Sequence, residues 1–248
     1  MSRPAGHTAV MADRQPTDAG ERDYFPTPPW AARAGGELIR RIDPIARSCW
    51  EPAAGEGHMA HGLGDYFDQV VASDIHDYGD PFGVFADLAP CGIGDFLDVA
   101  GVGPSADWIV TNPPFVAGEA FVRTALRRAT RGVAMLLRSV FLEGAARSRL
   151  FTDPTLGFAV AAQFAERVPM VKGRWDPEAS TATAYSWFVW LKPEVGLAAG
   201  PIQLAIREAQ HAGGHLGLII PPATRARLSR DADLYRFSRT TPEPGEFV

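Results

Sequence analysis

The chain has 248 residues, enough for one large α/β domain with an extension and short for two full domains. Its 46% hydrophobic and 21% charged content suits a soluble globular protein, no apolar stretch approaches a membrane span, and a net charge of −5 speaks against tight nonspecific nucleic-acid binding. Cys49 and Cys91 are the only cysteines, too few for a disulfide framework or a zinc site; a reduced, cytoplasmic setting and metal-free chemistry are expected.

Residues 1–22 mix Arg, Asp, Pro, Gly and His without periodicity or an apolar h-region, so they read as a disordered tail and not as a signal peptide. Residues 23–30 form an extended, proline-locked segment leading into an amphipathic helix near 30–42. A strand near 47–51, a glycine turn at 53–57 and a helix at about 58–67 follow. The next strand, 69–74, ends on an acid, and short irregular elements fill 79–100. The apolar run 106–111 reads as a buried strand, followed by a helix over 118–131 and a strand over 132–137. A polar loop with a short helix occupies 142–151, and strands at 158–166 and 183–191 are joined by a Gly/Arg/Trp/Pro loop. Residues 196–248 begin with Gly, Ala and Pro, contain the helix-like 203–211, and end in a Pro-rich, charged tail.

The alternation of strands and helices predicts an α/β fold, with a mostly parallel sheet, helices on both faces, and an antiparallel hairpin at one edge made from 158–166 and 183–191. The expected organisation is a tail at 1–22, a main domain at 23–195 and a small extension at 196–248.

Chemistry concentrates at Asn112-Pro113-Pro114-Phe115, directly after the buried strand. The Asn side-chain oxygen and the Pro113 carbonyl can accept two hydrogens from a planar amino group, while the Phe115 ring can stack on the flat system that carries it. Two prolines hold their φ angles near −65°, so the acceptors are set in place beforehand. A second motif, Glu51-Pro52-Ala53-Ala54-Gly55-Glu56-Gly57, lies at a strand–helix turn, where glycines let backbone approach a nucleotide-like ligand and Asp74 follows for a ribose hydroxyl. That turn also admits a dinucleotide such as NAD. Glu51 would repel a pyrophosphate, however, and suits the cationic amino-acid end of S-adenosylmethionine.

The ordered set Thr27-Pro28, Glu51-x-x-x-Gly55-x-Gly57, Asp74, Asp95-Phe96 and Asn112-Pro113-Pro114-Phe115 resembles S-adenosylmethionine-dependent N6-adenine DNA methyltransferases, most of all the small bacterial and phage-type enzymes. The resemblance runs from about Asp23 to Lys192 and implies a Rossmann-like class I methyltransferase fold. It implies that Thr27 and Pro28 help hold the methionine moiety of the cofactor S-adenosyl-L-methionine. Glu51, Pro52, Ala53, Gly55 and Gly57 would form the turn beside it. Asp74 would take the ribose hydroxyls, Ile75 would lie beside the cofactor adenine, and Asp95 with Phe96 would meet its amino edge. Asn112, Pro113, Pro114 and Phe115 would grip and stack the target adenine of DNA, flipped from a duplex or presented on a single strand. Without the resemblance, Asp74 also fits a strand-end cap, Asp95-Phe96 a helix cap followed by a core aromatic, and Thr27-Pro28 the shaping of a helix entry.

Arg138 follows a strand, and Arg174 and Trp175 lie in the loop before the last strand; all three are candidates for contacts with the substrate, Trp175 by stacking and the arginines through phosphate or base edges. Packing at the sheet edge is the plain alternative for Trp175. The reaction expected is methylation of the adenine N6 amino group in DNA. An RNA base or a protein glutamine amide offers the same planar amine, and a non-catalytic nucleic-acid-binding relative is the reading from another class. By the resemblance, no large target-recognition domain is expected to follow the core.

Overall fold

The computed structural model describes residues 23–98, 101, 103–193, 195–196 and 199–237; the expected tail at 1–22 and the charged end at 238–248 lie outside them. The elements in chain order are α1 (Pro29–Ile42), β1 (Ser48–Glu51), α2 (His58–Leu63), β2 (Gln69–Asp74), β3 (Ala89–Ile93), β4 (Trp108–Thr111), α3 (Gly118–Arg128), β5 (Gly132–Arg138), α4 (Arg149–Thr152), β6 (Phe158–Phe164), β7 (Tyr185–Leu191), α5 (Pro201–His211), β8 (Leu216–Ile220), α6 (Thr224–Leu228) and α7 (Asp231–Phe237). The strands form one 8-stranded sheet in the order β3-β2-β1-β4-β5-β7-β6-β8. β3, β2, β1, β4 and β5 run parallel, and β7 is antiparallel to both β5 and β6.

Side chains on successive strand residues leave on opposite faces, and each face builds its own core. Trp108, Val110, Ala134, Leu136, Trp187 and Val189 pack with α1, α2 and α5 through residues such as Ile39, Met59 and Ile206. Their neighbours Ile109, Val133, Met135, Phe188 and Trp190 pack on the other face with Phe121, Val122 and Leu150 of α3 and α4. β4 and β7 are buried along their whole length, which is why they read as unbroken apolar runs. Close contacts hold the layers in place. The Trp187 indole N–H donates to the Ala31 carbonyl at 3.1 Å, and a Cβ at Gly35 would lie 2.5 Å from the Trp187 ring.

Several elements differ from the sequence expectation in detail. The helix expected over 58–67 stops at Leu63, where Gly64 caps it, and that over 118–131 ends at Arg128. The region 79–100, expected to be irregular, holds a sheet strand, β3; its pairing with β2 contains a register shift, and its sequence Ala89-Pro90-Cys91-Gly92-Ile93 carries no alternating pattern. The antiparallel pair forms as expected from its two apolar segments. Beyond it, β8 from 216–220 adds parallel to β6, so the extension supplies the outermost strand. The C-terminal helices are anchored to α1: buried Arg33 donates to both carboxylate oxygens of Asp233 at 2.6 and 2.8 Å, to the Leu228 carbonyl, and to Asp65.

Candidate active site

β1, β2, β4 and β5 are mutually parallel, so Glu51, Asp74, Asn112 and Arg138 all emerge at one end of the sheet. The strand order reverses between β1 and β4, where an open α/β sheet leaves a crevice beyond its carboxyl ends. A cavity of about 370 Å³ occupies that position, a volume within the range of small-molecule sites. Thr27, Glu51, Pro52, Ala53, Asp74, Ile75, Asp95, Phe96, Asn112, Pro113 and Pro114 all line it.

Two buried oxygens belong to residues that line this space. Glu51 is 1% exposed; its Oε1 accepts from the Ala53 N–H at 3.0 Å, and the Thr111 hydroxyl is its other polar neighbour. Burial pushes the Glu51 carboxyl up to about 8, assisted by the charge of Asp74 and opposed by the Thr111 hydroxyl and the Ala53 N–H. The second oxygen is Asn112 Oδ1, buried and unpartnered among the described residues. Asn112 Nδ2 donates to the Phe25 carbonyl at 3.1 Å and to Met170 Sδ at 3.4 Å. A carbonyl can only accept, so it takes the amide nitrogen and leaves the amide oxygen toward the cavity. Buried polar atoms in folded proteins are nearly always paired. Glu51 and Asn112 thus bring two under-bonded polar groups to the wall of one cavity.

Asp74 is held by its own turn: Oδ2 accepts from Gly55 N–H at 2.9 Å and Oδ1 from His76 N–H at 3.0 Å. Burial raises its carboxyl despite those bonds. Asp95 is exposed and caps the following turn by accepting from Leu97 N–H at 2.8 Å. Phe96 is a core residue that also borders the cavity, with its ring 5.1 Å from Trp50 and 5.0 Å from Phe121. Ile75 is 63% exposed at the rim, an apolar surface open to a flat ligand.

The two glycines lie behind the wall instead of in it. Gly55 has φ +53° and Gly57 φ +89°, conformations that glycine adopts readily. A Cβ at Gly55 would collide with the Tyr24 ring, and one at Gly57 would lie 2.9 Å from Val84. Both therefore set the turn's shape and packing. Pro28 caps α1, its carbonyl accepting from Ala31 N–H, and does not border the cavity.

The segment before α1 supplies site residues that sequence reasoning did not single out. Asp23 accepts from Phe115 N–H at 2.8 Å, the Tyr24 hydroxyl donates to Glu56 at 3.2 Å, the Tyr24 carbonyl accepts from Gly173 N–H, and the Phe25 carbonyl orients Asn112. The segment is thus a strap joining the glycine turn, the Asn-Pro-Pro-Phe loop and the loop after β6. Its aromatic pair directly before Thr27-Pro28 was the available signal. His58 also borders the cavity, and its ring stacks on Phe237 of α7 at 4.1 Å.

Phe115 packs beside Phe25 at 4.9 Å, with the Arg138 guanidinium 4.2 Å from its ring centroid. Arg174 is exposed and pairs with Asp176, while Trp175 packs edge-on to Phe237 and His58. The arginines of α3 are engaged elsewhere: Arg123 pairs with Glu119, and Arg128 lies over Trp50 and Phe96.

No family model matches the sequence, and no curated protein is similar to it. Solved structures with a similar fold include the methyltransferase subunit of a type I restriction-modification system from Streptococcus thermophilus, with 13% identity, a TM-score of 0.51, and coverage of 68% of this chain and 44% of that one. A modification subunit from Vibrio vulnificus YJ016 is similar at 13% identity and TM-score 0.50, over 88% of this chain and 52% of that one. The chain spans about half the length of these proteins. The fold is the Rossmann-like class I methyltransferase fold: a mostly parallel sheet with an antiparallel strand between β5 and β6, and helices on both faces. No helix among the described residues is long and apolar enough to cross a membrane.

Proposed function

We propose that this protein transfers a methyl group from S-adenosylmethionine to the N6 amino group of adenine in DNA. The observation that carries the reading is the convergence of Glu51, Asp74 and Asn112 on one cavity, with Asn112 Oδ1 unbonded among the described residues.

The cavity residues suit the cofactor. Glu51 would take the ammonium end of the methionine moiety beside Thr27, Pro52 and Ala53. Asp74 would accept from the ribose hydroxyls, and Ile75 and Phe96 would flank the adenine, whose amino group reaches Asp95. Gly55 and Gly57 serve indirectly, by holding the turn that places Asp74 and Glu51. When bound, the cofactor supplies an electrophilic methyl group on a sulfonium centre.

The chain's own contribution is at the target amine. That nitrogen is a poor nucleophile because its lone pair is delocalised into the ring. Asn112 Oδ1 and the Pro113 carbonyl would accept both amino hydrogens, drawing the nitrogen toward tetrahedral geometry and localising the lone pair. Because the Phe25 carbonyl and the prolines hold these acceptors already in place, the protein need not reorganise as positive charge develops on nitrogen. Phe115 would stack on the base, Pro114 fixes the loop between them, and Arg138, Arg174 and Trp175 would meet the nucleic acid around the slot. A base within a duplex would have to be extruded to reach it. We assign the chemistry to 23–195; within 196–248, β8 extends the sheet and α7 backs the cavity through Phe237.

The test is incubation with methyl-labelled S-adenosylmethionine and DNA, RNA or protein, followed by mass spectrometry of nucleosides and peptides. The expected product is N6-methyladenine in DNA. Label in an RNA base or on a glutamine amide overturns the substrate assignment, and cofactor binding without any labelled product overturns the enzymatic one.

A further inference from the structure

Arg138, at the carboxyl end of β5, lays its guanidinium over the Phe115 ring with Cζ 4.2 Å from the centroid. That separation is typical of a cation stacked on an aromatic face, and it covers ring surface on which a target base would stack. The guanidinium is only partly engaged there. Its Nε is buried and has no hydrogen-bond partner among the described residues. The Tyr185 hydroxyl accepts from the guanidinium, and its ring lies 6.2 Å from that of Phe115. Other arginines at this end are committed: Arg147 donates to the Phe141 and Glu143 carbonyls, and Arg174 pairs with Asp176.

We infer that Arg138 is a placeholder for the target base: its guanidinium fills the stacking position on Phe115 and yields it to an incoming adenine, becoming free to grip the DNA backbone. This rests on the proposed function and names the residue that couples base entry to backbone contact. A guanidinium is planar, as a base is, and this one sits over the ring. Once displaced, it exchanges an unpaired donor and a face contact for charge-assisted, bidentate bonds to phosphate. Lysine could make the phosphate contact, but its compact ammonium would not fill the flat slot.

The test is calorimetric binding of deoxyadenosine to the full chain saturated with S-adenosylhomocysteine, for wild type, Arg138→Ala and Arg138→Lys. Removing the competing guanidinium should tighten nucleoside binding about 3- to 10-fold in Arg138→Ala, the factor that such a contact is worth, and by less in Arg138→Lys, whose ammonium can still approach the ring. Binding of a single-stranded oligodeoxyadenylate by Arg138→Ala should lose a salt dependence of about one phosphate contact, which Arg138→Lys retains. In the wild-type protein, the Arg138 Nε–Hε NMR resonance should show the ring-current shift of Phe115 and lose it when deoxyadenosine is added. Unchanged or weaker nucleoside binding by Arg138→Ala overturns the inference, as does a resonance that deoxyadenosine does not move. Methyl transfer by the wild type is read separately. Tighter nucleoside binding in the variants without any transfer sinks the reaction and keeps the exchange, while transfer without tighter binding does the reverse.

Discussion

The Asn112 amide donates through Nδ2 to the Phe25 carbonyl at 3.1 Å, and this bond decides which way the amide oxygen points. Residues 87 positions apart in sequence thereby create one acceptor aimed at one cavity.

Asn112→Ala removes that acceptor together with the Nδ2 bonds to the Phe25 carbonyl and Met170. Methyl transfer should fall about 10²- to 10³-fold, the usual loss for one preorganised polar group acting on developing charge. Affinity for S-adenosylmethionine should change less than about 3-fold, since its proposed contacts lie elsewhere; a loss of a few tenths of a kcal/mol is normal for a substitution outside a contact. Single-turnover rates and cofactor titration separate the two quantities. A variant that loses cofactor affinity and transfer equally contradicts the division of roles.

Glu51 makes the site sensitive to pH. Burial lifts its carboxyl from 4.5 to about 8, so its neutral form is favoured in the folded, ligand-free protein. The resulting stabilisation is fully present below 4.5 and is lost as pH rises through about 8. Glu51→Gln should therefore resist thermal unfolding better than wild type above pH 8 and equal it in acid. At pH 7, binding of a cationic amine should ionise Glu51 and release about one proton. Calorimetry in buffers of different ionisation enthalpy measures that proton. In Glu51→Gln the release should vanish and affinity should drop about 10- to 100-fold, the worth of a charge-assisted bond.

Gly55 predicts a coupled pair. Alanine there faces the left-handed backbone region and the Tyr24 ring together, and should lower stability by about 2–4 kcal/mol. Tyr24→Ala removes the obstacle. The double variant Tyr24→Ala/Gly55→Ala should be less destabilised than the two single effects summed, and denaturant unfolding of the four proteins closes the cycle. Strict additivity would show that the ring is not what the glycine accommodates.

Arg33 and Asp233 carry the attachment of the C-terminal helices. Burial alone would raise the Asp233 carboxyl, but the Arg33 guanidinium, with His61 beside it, holds it well below the usual carboxylate range. Its contribution is therefore present at neutral pH, above the ordinary carboxylate range, and is lost as pH falls toward its own depressed value. Asp233→Asn leaves Arg33, 1% exposed, with one fewer compensating charge and should destabilise by about 3 kcal/mol at pH 7. The gap to wild type should narrow in acid, as followed by thermal unfolding across pH.

Local chemistry carried much of this protein in legible form. Apolar runs at 108–111, 132–138 and 185–191 announce strands buried on both faces, because such strands have no polar side to show. Glu51, Asp74 and Asn112 could be assigned to strand ends, since each closes an apolar segment, and parallel pairing then carries all three to one end of the sheet. Folding alone decided the rest. β3 joins the sheet through backbone pairing that no side-chain alternation signals, while the short run of β8 turns Leu216, Leu218 and Ile220 to the core. The direction of the Asn112 oxygen depends on a carbonyl at Phe25, and the raised Glu51 carboxyl depends on everything that packs around it. Arg138 could be read as a cation near DNA; that it sits over the Phe115 ring follows from the meeting of β5 with a distant loop. Residue type states what a group can bond to, while only the packed chain determines which of those bonds are left unmade.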